Sequence, residues 1–396
     1  MTSFVLVGAG QASAVAARTL RRRGFDGRIE IVGAEPHRPY QRPPLSKEYL
    51  AAGDDDGLFL LGEEWCATND VQLRLGVAVE RIRPGRVELA DGTDLTADAA
   101  LIATGGRPRR LPGVDDDEVC YLRTLDDADR LRAELRRGRH VIVIGGGFVG
   151  AEVAATARAK GADVTLIEAL DVPLQRALGR DMGAVCARIH RDNGVHLRLG
   201  EAVTAVSGGV VTTTGGQLEG DVVVAGLGIT PNDDVAQRSG IAVDNGVLVD
   251  EFCRTGMAGV YAAGDVANHR HPLFGEHVRV EHFDNANKQG AAAAQNMLGR
   301  LSVFDDPHWF WSDQYEVNLQ YTGHAPAWDE LVVRGDVDGL DFCAFYLRRG
   351  VLRAAFGVER GADIMAAREL VGRNLSPDVL RDEDVDLMEL AMLEQA

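Results

Sequence analysis

The sequence lacks any closely spaced pair of cysteines. Its five cysteines stand at positions 66, 120, 186, 253 and 343, so neither a CxxC nor a CxxxxC spacing occurs. Those spacings are typical of zinc sites and of redox-active dithiols, and we therefore predict neither. Isolated cysteines are typical of structural thiols in a reducing compartment, which predicts a cytoplasmic protein without a metal site.

Long apolar segments and an excess of positive charge are also missing. No apolar run reaches about 18 residues, so no segment is predicted to span a membrane. Residues 1–3 lead directly into the apolar run 4–7, so no signal peptide is expected and the mature protein should start at residue 1. The formal net charge is −18. This charge argues against nucleic acid and anionic membranes as partners.

One pattern occurs twice in the first 225 residues. Residues 4–10 and residues 141–147 are each an apolar run that ends in a glycine loop and continues into a helix-like stretch. A further predicted strand, a hairpin and a buried strand follow each copy. Strand, glycine turn, helix and strand form the βαβ unit of a doubly wound sheet. We therefore expect two dinucleotide-binding domains of one design.

The residues from about 307 onward follow a different pattern. Strands are predicted at 316–321, 330–333, 342–347 and 351–358, followed by a helix at 362–371. This pattern predicts a small α+β domain without a nucleotide loop of its own. The acidic stretch after Pro377 is expected to be a solvated helix or a frayed end.

The first glycine loop, residues 8–13, fits the GxGxxG pattern with serine in the third small position. The first two glycines let the backbone approach a pyrophosphate, which lies at the positive N-terminus of the helix. Glu35 follows the second strand and is the candidate acceptor for the ribose hydroxyls. The alternative interpretation of Glu35 is an exposed loop carboxylate.

The second glycine loop, residues 145–150, carries all three glycines of the pattern. Glu168 ends the next predicted strand, where a carboxylate bonds the ribose 2′-hydroxyl of NAD and repels the 2′-phosphate of NADP. No arginine follows before Arg176, so NADH is the predicted donor. The residues predicted to bind NADH are Gly145, Gly147, Phe148, Val149, Gly150, Glu168 and Gly228.

A third signature is the short apolar run 260–263, which ends in Gly264-Asp265. The glycine brings the backbone to a flavin pyrophosphate, and the Asp265 carboxylate can accept from a ribityl hydroxyl. Two dinucleotide sites in one chain imply a flavin that is reduced by a nicotinamide. FAD and NADH are therefore the predicted cofactors.

The predicted fold is α/β, with two Rossmann-like dinucleotide-binding domains, one for FAD and one for NAD, and a small C-terminal α+β domain. Residues 1–110 and 228–306 are assigned to a discontinuous FAD-binding domain. Residues 111–227 are assigned to the NADH-binding domain, and residues 307–396 to the C-terminal α+β interface domain.

With these motifs the chain resembles the FAD-dependent ferredoxin, putidaredoxin and rubredoxin reductases, which share a fold with glutathione reductase and apoptosis-inducing factor. The resemblance covers essentially the whole chain in order. The stretches RPPLSK and FWSDQ are specific to this group, whereas the glycine loops are shared by all flavoproteins with two dinucleotide sites. The matching segments are residues 42–47, 103–105, 145–152, 263–265, 281–289 and 309–314.

The resemblance implies roles for several residues. Lys47 is expected beside the isoalloxazine ring, where a cation would stabilise reduced flavin. Glu152 is expected near Lys47 in the nicotinamide pocket, and the two are predicted to form an ion pair that NADH rearranges. The alternatives are a solvated helix start for Lys47 and a plain helix face for Glu152. Lys47 and Glu152 are thus the predicted catalytic residues. The predicted FAD ligands are Gly8, Gly10, Gln11, Ala12, Glu35, Arg42, Lys47, Ala103, Thr104, Gly105, Asp265 and Phe283. The predicted flavin and nicotinamide pocket also includes Glu281, His282 and Trp311.

Two positions depart from the pattern of that group. Phe283 stands where tryptophan is often found at the flavin edge, which leaves the exit route of the electrons open. Val172 or Pro173 stands where an arginine commonly follows the acid that binds the NAD ribose.

The segment before Lys47 contains no thiol. Relatives of glutathione reductase carry a cysteine pair beside the flavin, and NADH oxidases and peroxidases carry one cysteine, whereas residues 43–46 read Pro-Pro-Leu-Ser. Electrons must then leave the flavin directly, and a one-electron carrier is the natural acceptor. The predicted function is an NADH-dependent ferredoxin reductase that supplies a [2Fe–2S] ferredoxin and, through it, a haem–thiolate monooxygenase or a Rieske dioxygenase. The alternatives are an NADH oxidase, a quinone or rubredoxin reductase, and a redox sensor like apoptosis-inducing factor.

A local basic patch is expected to dock the ferredoxin, because an acidic carrier is not attracted by a chain of net charge −18. The alternative is that these side chains are scattered and solvated. The predicted patch consists of His269, Arg270, His271, His277, Arg279 and Lys288.

Overall fold

The computed structural model describes residues 2–393, which divide into two compact units. The first unit contains residues 2–41, 55–107 and 230–308, and the second contains residues 42–54, 108–229 and 309–393. This grouping differs from the three domains assigned from the sequence, and that assignment stays a prediction. Two short strands, Gly106–Pro108 and Ile229–Pro231, lie where the chain passes from one unit to the other.

The first unit is built on a five-stranded sheet whose neighbouring strands are all parallel. Its strands in spatial order are Val260–Ala262, Ala99–Ile102, Ser3–Val7, Arg28–Gly33 and Val71–Leu75. Along Ser3–Val7 the side chains alternate: Phe4 and Leu6 enter one hydrophobic core, and Val5 and Val7 enter another. Both faces of this sheet are therefore covered, as expected for a doubly wound fold.

Helices and two small sheets complete the first unit. The helices are Gln11–Arg22, Glu63–Thr68, Asp234–Arg238 and Phe283–Met297, with a 3₁₀ turn at Gly264–Val266. One small sheet contains Val79–Arg83, Arg86–Leu89 and Asp94–Thr96, and the other contains Val247–Val249, Ala267–His271 and Glu276–Arg279. A Cβ atom at Gly290 would lie 2.5 Å from the Ala12 carbonyl oxygen. Glycine at 290 thus allows the helices that begin at Gln11 and Phe283 to pack closely.

The second unit repeats the parallel design. Its strands in spatial order are His196–Leu199, Asp163–Glu168, His140–Ile144, Val222–Ala225 and Cys120–Tyr121. An antiparallel sheet of Val203–Ser207, Val210–Thr213 and Gly216–Glu219 accompanies it. The helices of this part are Glu48–Ala52, Leu125–Glu134, Phe148–Ala159 and Gln175–Asp192, with 3₁₀ turns at Pro43–Ser46 and Asp116–Glu118.

The C-terminal residues of the second unit form a five-stranded antiparallel sheet. Its strands in spatial order are Trp309–Gln314, Val317–Gly323, Val351–Val358, Asp341–Arg348 and Glu330–Asp336. Helices Gly361–Leu370, Pro377–Arg381 and Leu387–Leu393 follow. The expectation of a solvated or frayed tail is wrong for residues 377–393, because Leu380, Leu387 and Ala391 are buried in the core of this sheet.

The predicted fold class is confirmed: two Rossmann-like parallel sheets and a C-terminal α+β part are present. Within residues 2–393, no helix is both long enough and apolar enough to cross a membrane.

Candidate functional site

The first glycine loop joins strand Ser3–Val7 to helix Gln11–Arg22. Gly8 has a φ of +110°, and a Cβ atom there would lie 2.2 Å from the Ala103 carbonyl oxygen, so only glycine fits. A Cβ atom at Gly10 would meet nothing within 4 Å. Glycine at 10 is therefore not required by the packing of the protein, and the space in front of the helix is left open for a ligand.

The N-terminus of helix Gln11–Arg22 fits a pyrophosphate. None of the described side chains caps the helix and its first turn contains no acidic residue, so its backbone N–H groups remain available to an anion. Gln11 donates from Nε2 to Oδ1 of Asn287 at 2.5 Å, and its buried Oε1 accepts no hydrogen bond from the described residues. The donors and the open acceptor match the phosphates and hydroxyls of the predicted FAD.

The predicted FAD residues 103–105 lie at the end of strand Ala99–Ile102, next to this loop. The Thr104 hydroxyl donates to the carbonyl of Asn232 at 2.6 Å, and the Asn232 side chain donates to the Thr104 carbonyl at 3.0 Å. Gly105 has a φ of +64°, and its carbonyl accepts from the Asn232 backbone at 2.9 Å. Asn232, which was not predicted from the sequence, thus holds residues 104–105 in place by three hydrogen bonds.

The structure also gathers the predicted residues around position 265 in the first unit. Asp265 lies in the 3₁₀ turn Gly264–Val266, and the backbone N–H of Gly264 donates to Oε1 of Gln289 at 3.0 Å. Phe283 begins the helix Phe283–Met297, and His282 is its N-cap residue. Desolvation lowers the pKa of His282 to about 4, so its ring is neutral at pH 7. Glu281 is exposed and pairs with Arg279 at 2.7 Å.

Glu35 follows strand Arg28–Gly33 and is half-buried. Its Oε2 accepts from the Tyr40 hydroxyl at 2.5 Å. The carboxylate is therefore held by a neighbour rather than loose in solvent, and it retains lone pairs for a ribose. Its role as an FAD ligand stays a prediction.

The second glycine loop joins strand His140–Ile144 to helix Phe148–Ala159. A Cβ atom at Gly145 would lie 2.6 Å from the Gly226 carbonyl oxygen, and one at Gly150 would lie 2.0 Å from the Gly145 carbonyl oxygen. Within residues 2–393 no side chain caps the helix at Gly147, and its first turn has no acidic residue. This helix terminus therefore fits a second pyrophosphate. Val149 is 43% exposed.

Glu168 ends strand Asp163–Glu168, as predicted. Its Oε2 accepts from the Gly146 backbone at 2.7 Å and its Oε1 from the Leu170 backbone at 2.9 Å. Each carboxylate oxygen can accept more than one hydrogen bond, so the group can still take a ribose hydroxyl. Glu168 thus supports the glycine loop, and its role as an NADH ligand stays a prediction.

Lys47 and Glu152 form the expected ion pair, with Nζ of Lys47 2.8 Å from Oε2 of Glu152. Their side chains are 13% and 7% exposed. Lys47 follows the 3₁₀ turn Pro43–Ser46, whose two prolines restrict φ and remove backbone donors. Glu152 projects from helix Phe148–Ala159, directly after the second glycine loop. The alternative of a solvated Lys47 is wrong, because the side chain is nearly buried.

Two serines that sequence reasoning did not select complete this site. The Ser46 hydroxyl donates to Oε2 of Glu152 at 2.5 Å, and the Ser312 hydroxyl donates to Oε1 at 2.7 Å. Gln314 donates from Nε2 to the Ser312 hydroxyl at 3.2 Å. The strand period was a usable signal, because Phe310, Ser312 and Gln314 share the buried face of Trp309–Gln314.

The remaining predicted residues of the second unit are placed as follows. Trp311 is half-buried and stacks on Trp309 with ring centroids 5.3 Å apart. Phe148 packs edge-on against Phe310 at 4.5 Å. Arg42 donates to the Arg123 carbonyl. Gly228 is exposed, has a φ of +81°, and a Cβ atom there would meet nothing within 4 Å.

The predicted basic docking patch is wrong as a single cluster. His269 and His271 are fully buried, and desolvation lowers the pKa of His269 to about 3. The Arg279 side chain is 6% exposed and is paired, and Lys288 pairs with Asp284 at 3.0 Å. In strand Ala267–His271 the two histidines enter the core and Arg270 between them faces solvent, so the six side chains do not form one basic surface.

Metal-binding side chains do not cluster in the part of the chain that the structure describes: no group of three or more His, Cys, Asp or Glu residues could hold an ion. All five cysteines are free thiols.

Comparisons with known proteins agree with this geometry. A family model described as pyridine nucleotide-disulphide oxidoreductase matches residues 2–290, and one described as reductase C-terminal matches residues 309–391. The chain is 44% identical over 388 residues to the ferredoxin–NAD(+) reductase component of the anthranilate 1,2-dioxygenase system of Burkholderia cepacia, with 95% of each chain covered. It is 40% identical over 398 residues to rhodocoxin reductase of Rhodococcus erythropolis, covering 97% of this chain and 93% of the relative.

A solved structure is also similar along the full length. The crystal structure of the covalent putidaredoxin reductase–putidaredoxin complex matches with a TM-score of 0.95 and 34% identity. The match covers 100% of this chain and 99% of that chain.

Proposed function

The chain belongs to the pyridine nucleotide-disulphide oxidoreductase family, and we propose that it is an NADH-dependent ferredoxin reductase. It takes hydride from NADH onto FAD and passes single electrons to a [2Fe–2S] ferredoxin, which feeds an oxygenase. Its relatives named as reductase components of oxygenase systems, and the similar complex of a reductase with putidaredoxin, support this proposal.

The observation that carries the proposal is the absence of a thiol relay. The family name refers to a disulfide, yet all five cysteines of this chain are free, and four of them are buried. The segment that precedes Lys47, residues 43–46, reads Pro-Pro-Leu-Ser and contains no thiol. Without a dithiol to accept two electrons, a carrier that takes one electron at a time is the natural acceptor.

Both glycine loops fit the cofactors by their donors. The uncapped helix termini at Gly10 and Gly147 offer backbone N–H groups to phosphates. Glu168 offers a carboxylate to the ribose of NADH and disfavours the extra phosphate of NADPH. When bound, FAD accepts hydride from the nicotinamide and can release its two electrons one at a time.

The protein itself contributes binding and orientation rather than acid–base chemistry. We assign NADH binding to the second glycine loop with Glu168, and FAD binding to the first loop with residues 103–105 and Asp265. Lys47 and Glu152 are proposed as the pair that responds to the nicotinamide. The free thiols also support the proposal of a cytoplasmic location.

The test is reduction of purified [2Fe–2S] ferredoxins by NADH in the absence of oxygen. The expected protein is yellow and releases FAD on denaturation. Ferricyanide, a small acceptor, reports the NADH half-reaction separately. A protein that reduces ferricyanide and at least one ferredoxin supports the proposal. A protein that consumes NADH only with oxygen or a quinone would be an oxidase or a quinone reductase instead, and one that turns over with none of them would fit a redox sensor.

A further inference from the structure

Glu152 is the centre of a buried hydrogen-bond network in the second unit. Glu152 as a whole residue is 6% exposed to solvent. Oε2 receives the Lys47 ammonium at 2.8 Å and the Ser46 hydroxyl at 2.5 Å, whereas Oε1 receives the Ser312 hydroxyl at 2.7 Å. A buried carboxylate needs donors on both oxygens. The donors to Oε2 lie in the segment before helix Glu48–Ala52, and the donor to Oε1 lies in the C-terminal sheet.

The direction of the bonds on Oε1 follows from the chemistry of the groups. An ionised carboxylate only accepts, so the single hydroxyl proton of Ser312 must point at Oε1. The Ser312 oxygen is then available as an acceptor, and it receives Nε2 of Gln314 at 3.2 Å. Gln314 is fully buried. The chain of donors therefore runs one way, from Gln314 to Ser312 to Glu152.

Ser46 has a separate anchor on the helix that carries Glu152. The Thr156 hydroxyl donates to the Ser46 carbonyl at 2.8 Å. Thr156 lies four residues after Glu152, on the same face of helix Phe148–Ala159. Lys47 and Ser46 are thus held to this helix by three contacts. Among the contacts of the described residues, the Ser312 bond alone connects Oε1 to the C-terminal sheet.

From this geometry we propose that Ser312, supported by Gln314, is a positioning residue for Glu152. Its bond to Oε1 sets the rotation of the carboxylate, so that Oε2 faces Lys47. This inference rests on the proposed function, in which Lys47 and Glu152 respond to NADH. It assigns the C-terminal sheet a part in NADH oxidation, as the source of the bond that orients the ion pair.

The physical reason is that a carboxylate with donors on only one of its oxygens can rotate at low cost. Without the Ser312 hydroxyl, Oε1 would be buried without a donor, and Glu152 would turn to recover one. That turn withdraws Oε2 from Lys47. A bond to an ionised acceptor is among the stronger protein hydrogen bonds, so its loss should be visible in both the ion pair and the reaction.

The first measurement is the NMR signal of the Lys47 side chain, which can be assigned because the chain contains few lysines. The sequence contains three lysines, Lys47, Lys160 and Lys288, so lysine labelled with ¹³C at Cε gives three assignable NMR signals. We expect the Lys47 signal to move in Ser312→Ala and to return in Ser312→Thr, which keeps the hydroxyl. The Lys160 and Lys288 signals, and all three signals in the control Ser207→Ala on an exposed strand, should stay in place.

The second measurement is the rate constant of flavin reduction by saturating NADH in a single turnover. We expect Ser312→Ala to lower it about tenfold, which corresponds to about 1.4 kcal/mol. In a Glu152→Gln background the same change should alter it less than twofold, because Ser312 acts through Glu152. Gln314→Leu, which leaves the carboxylate contacts intact, should give a smaller loss in the same direction and serves if Ser312→Ala does not fold.

Failure of the inference and failure of the proposed function give different results. If the wild-type flavin is not reduced by NADH, the proposed function is wrong, while the Lys47 signal still tests the geometry. If the wild type is reduced and neither Ser312→Ala nor Gln314→Leu changes the Lys47 signal or the rate, the inference is overturned. Equal losses in the wild-type and Glu152→Gln backgrounds, or no recovery in Ser312→Thr, would overturn it as well.

Discussion

The hydroxyl of Ser312 lies 2.7 Å from Oε1 of Glu152, a residue 160 positions earlier in the chain. The other oxygen of Glu152 contacts Lys47, which lies 105 positions before it. Three distant segments of one unit therefore meet at a single carboxylate.

Removing Glu152 alone should destabilise the protein more than removing the whole ion pair. Glu152→Leu leaves the Lys47 ammonium nearly buried without its counter-charge, and a broken buried pair costs about 3–5 kcal/mol. The double variant Lys47→Met/Glu152→Leu should recover most of that loss. The free energy of unfolding of each variant is measured by urea titration, with circular dichroism as the signal.

The matched control for the ion pair is Asp94→Ala, which breaks the exposed pair of Arg86 and Asp94. Exposed pairs contribute about 0–1 kcal/mol, so this variant should remain close to the wild type. If Glu152→Leu is as stable as the control, the pair contributes little and its burial has another explanation.

Glu168 should set the preference for NADH by its charge. Glu168→Gln keeps an acceptor for the Gly146 backbone but removes the charge that repels a 2′-phosphate. We expect it to narrow the ratio of kcat/KM for NADH over NADPH about tenfold, or about 1.4 kcal/mol. Glu168→Ala should narrow the ratio similarly and also lower kcat/KM with both donors, because the loop loses its support.

An exposed carboxylate in the same unit serves as the control for Glu168. Glu219→Ala, on strand Gly216–Glu219, should leave the donor preference unchanged. A preference for NADPH in the wild-type protein would show that the assigned role of Glu168 is wrong.

Substitution by alanine should impair folding at Gly8 and FAD binding at Gly10. At Gly8 the new Cβ would lie 2.2 Å from a carbonyl oxygen at a φ of +110°, so Gly8→Ala should lower the unfolding temperature of the apoprotein. At Gly10 the Cβ meets nothing within 4 Å, so Gly10→Ala should fold normally but bind FAD more weakly. Thermal unfolding and fluorescence titration with FAD separate the two effects.

Gly62→Ala is the control for both glycines, since a Cβ atom there also meets nothing within 4 Å and the residue lies outside the loop. It should match the wild type in both measurements. Normal FAD affinity in Gly10→Ala would move the pyrophosphate away from this helix terminus.

His269 should make the protein sensitive to acid. Burial lowers its pKa to about 3 in the folded state, whereas an exposed histidine titrates near 6.5. The unfolded chain therefore binds a proton that the folded chain does not, and stability falls as the pH drops from about 6.5 towards 3. Above about pH 6.5 the histidine is neutral in both the folded and the unfolded chain, so it causes no loss of stability there.

The variant His269→Phe removes the titrating group and keeps a ring beside Phe304. Its acid-unfolding midpoint should move to lower pH, while the exposed control His196→Gln should leave the midpoint in place. An unchanged midpoint in His269→Phe would assign the acid sensitivity to other groups.

Local patterns predicted the parts of this fold that depend on nearby residues. A glycine loop lies within a few positions of the strand and helix it joins, so both Rossmann units and Glu168 at its strand end were found from the sequence. The basic patch was predicted from proximity in sequence and is wrong, because a strand sends neighbouring side chains to opposite faces. His269 and His271 are buried, and Arg270 between them is exposed.

The two nucleotide loops, the lack of a closely spaced cysteine pair and the strand–helix–strand unit of each repeat were readable from the sequence alone, since these follow from local backbone geometry and residue type. The packing of distant segments determines which side chains surround Glu152, that the tail residues Leu380 and Leu387 are buried, and that two of the six patch residues are core histidines. Such contacts depend on which surfaces of distant segments pack together. Hydrophobic burial, which drives that packing, is not directional and leaves no fixed spacing in the sequence.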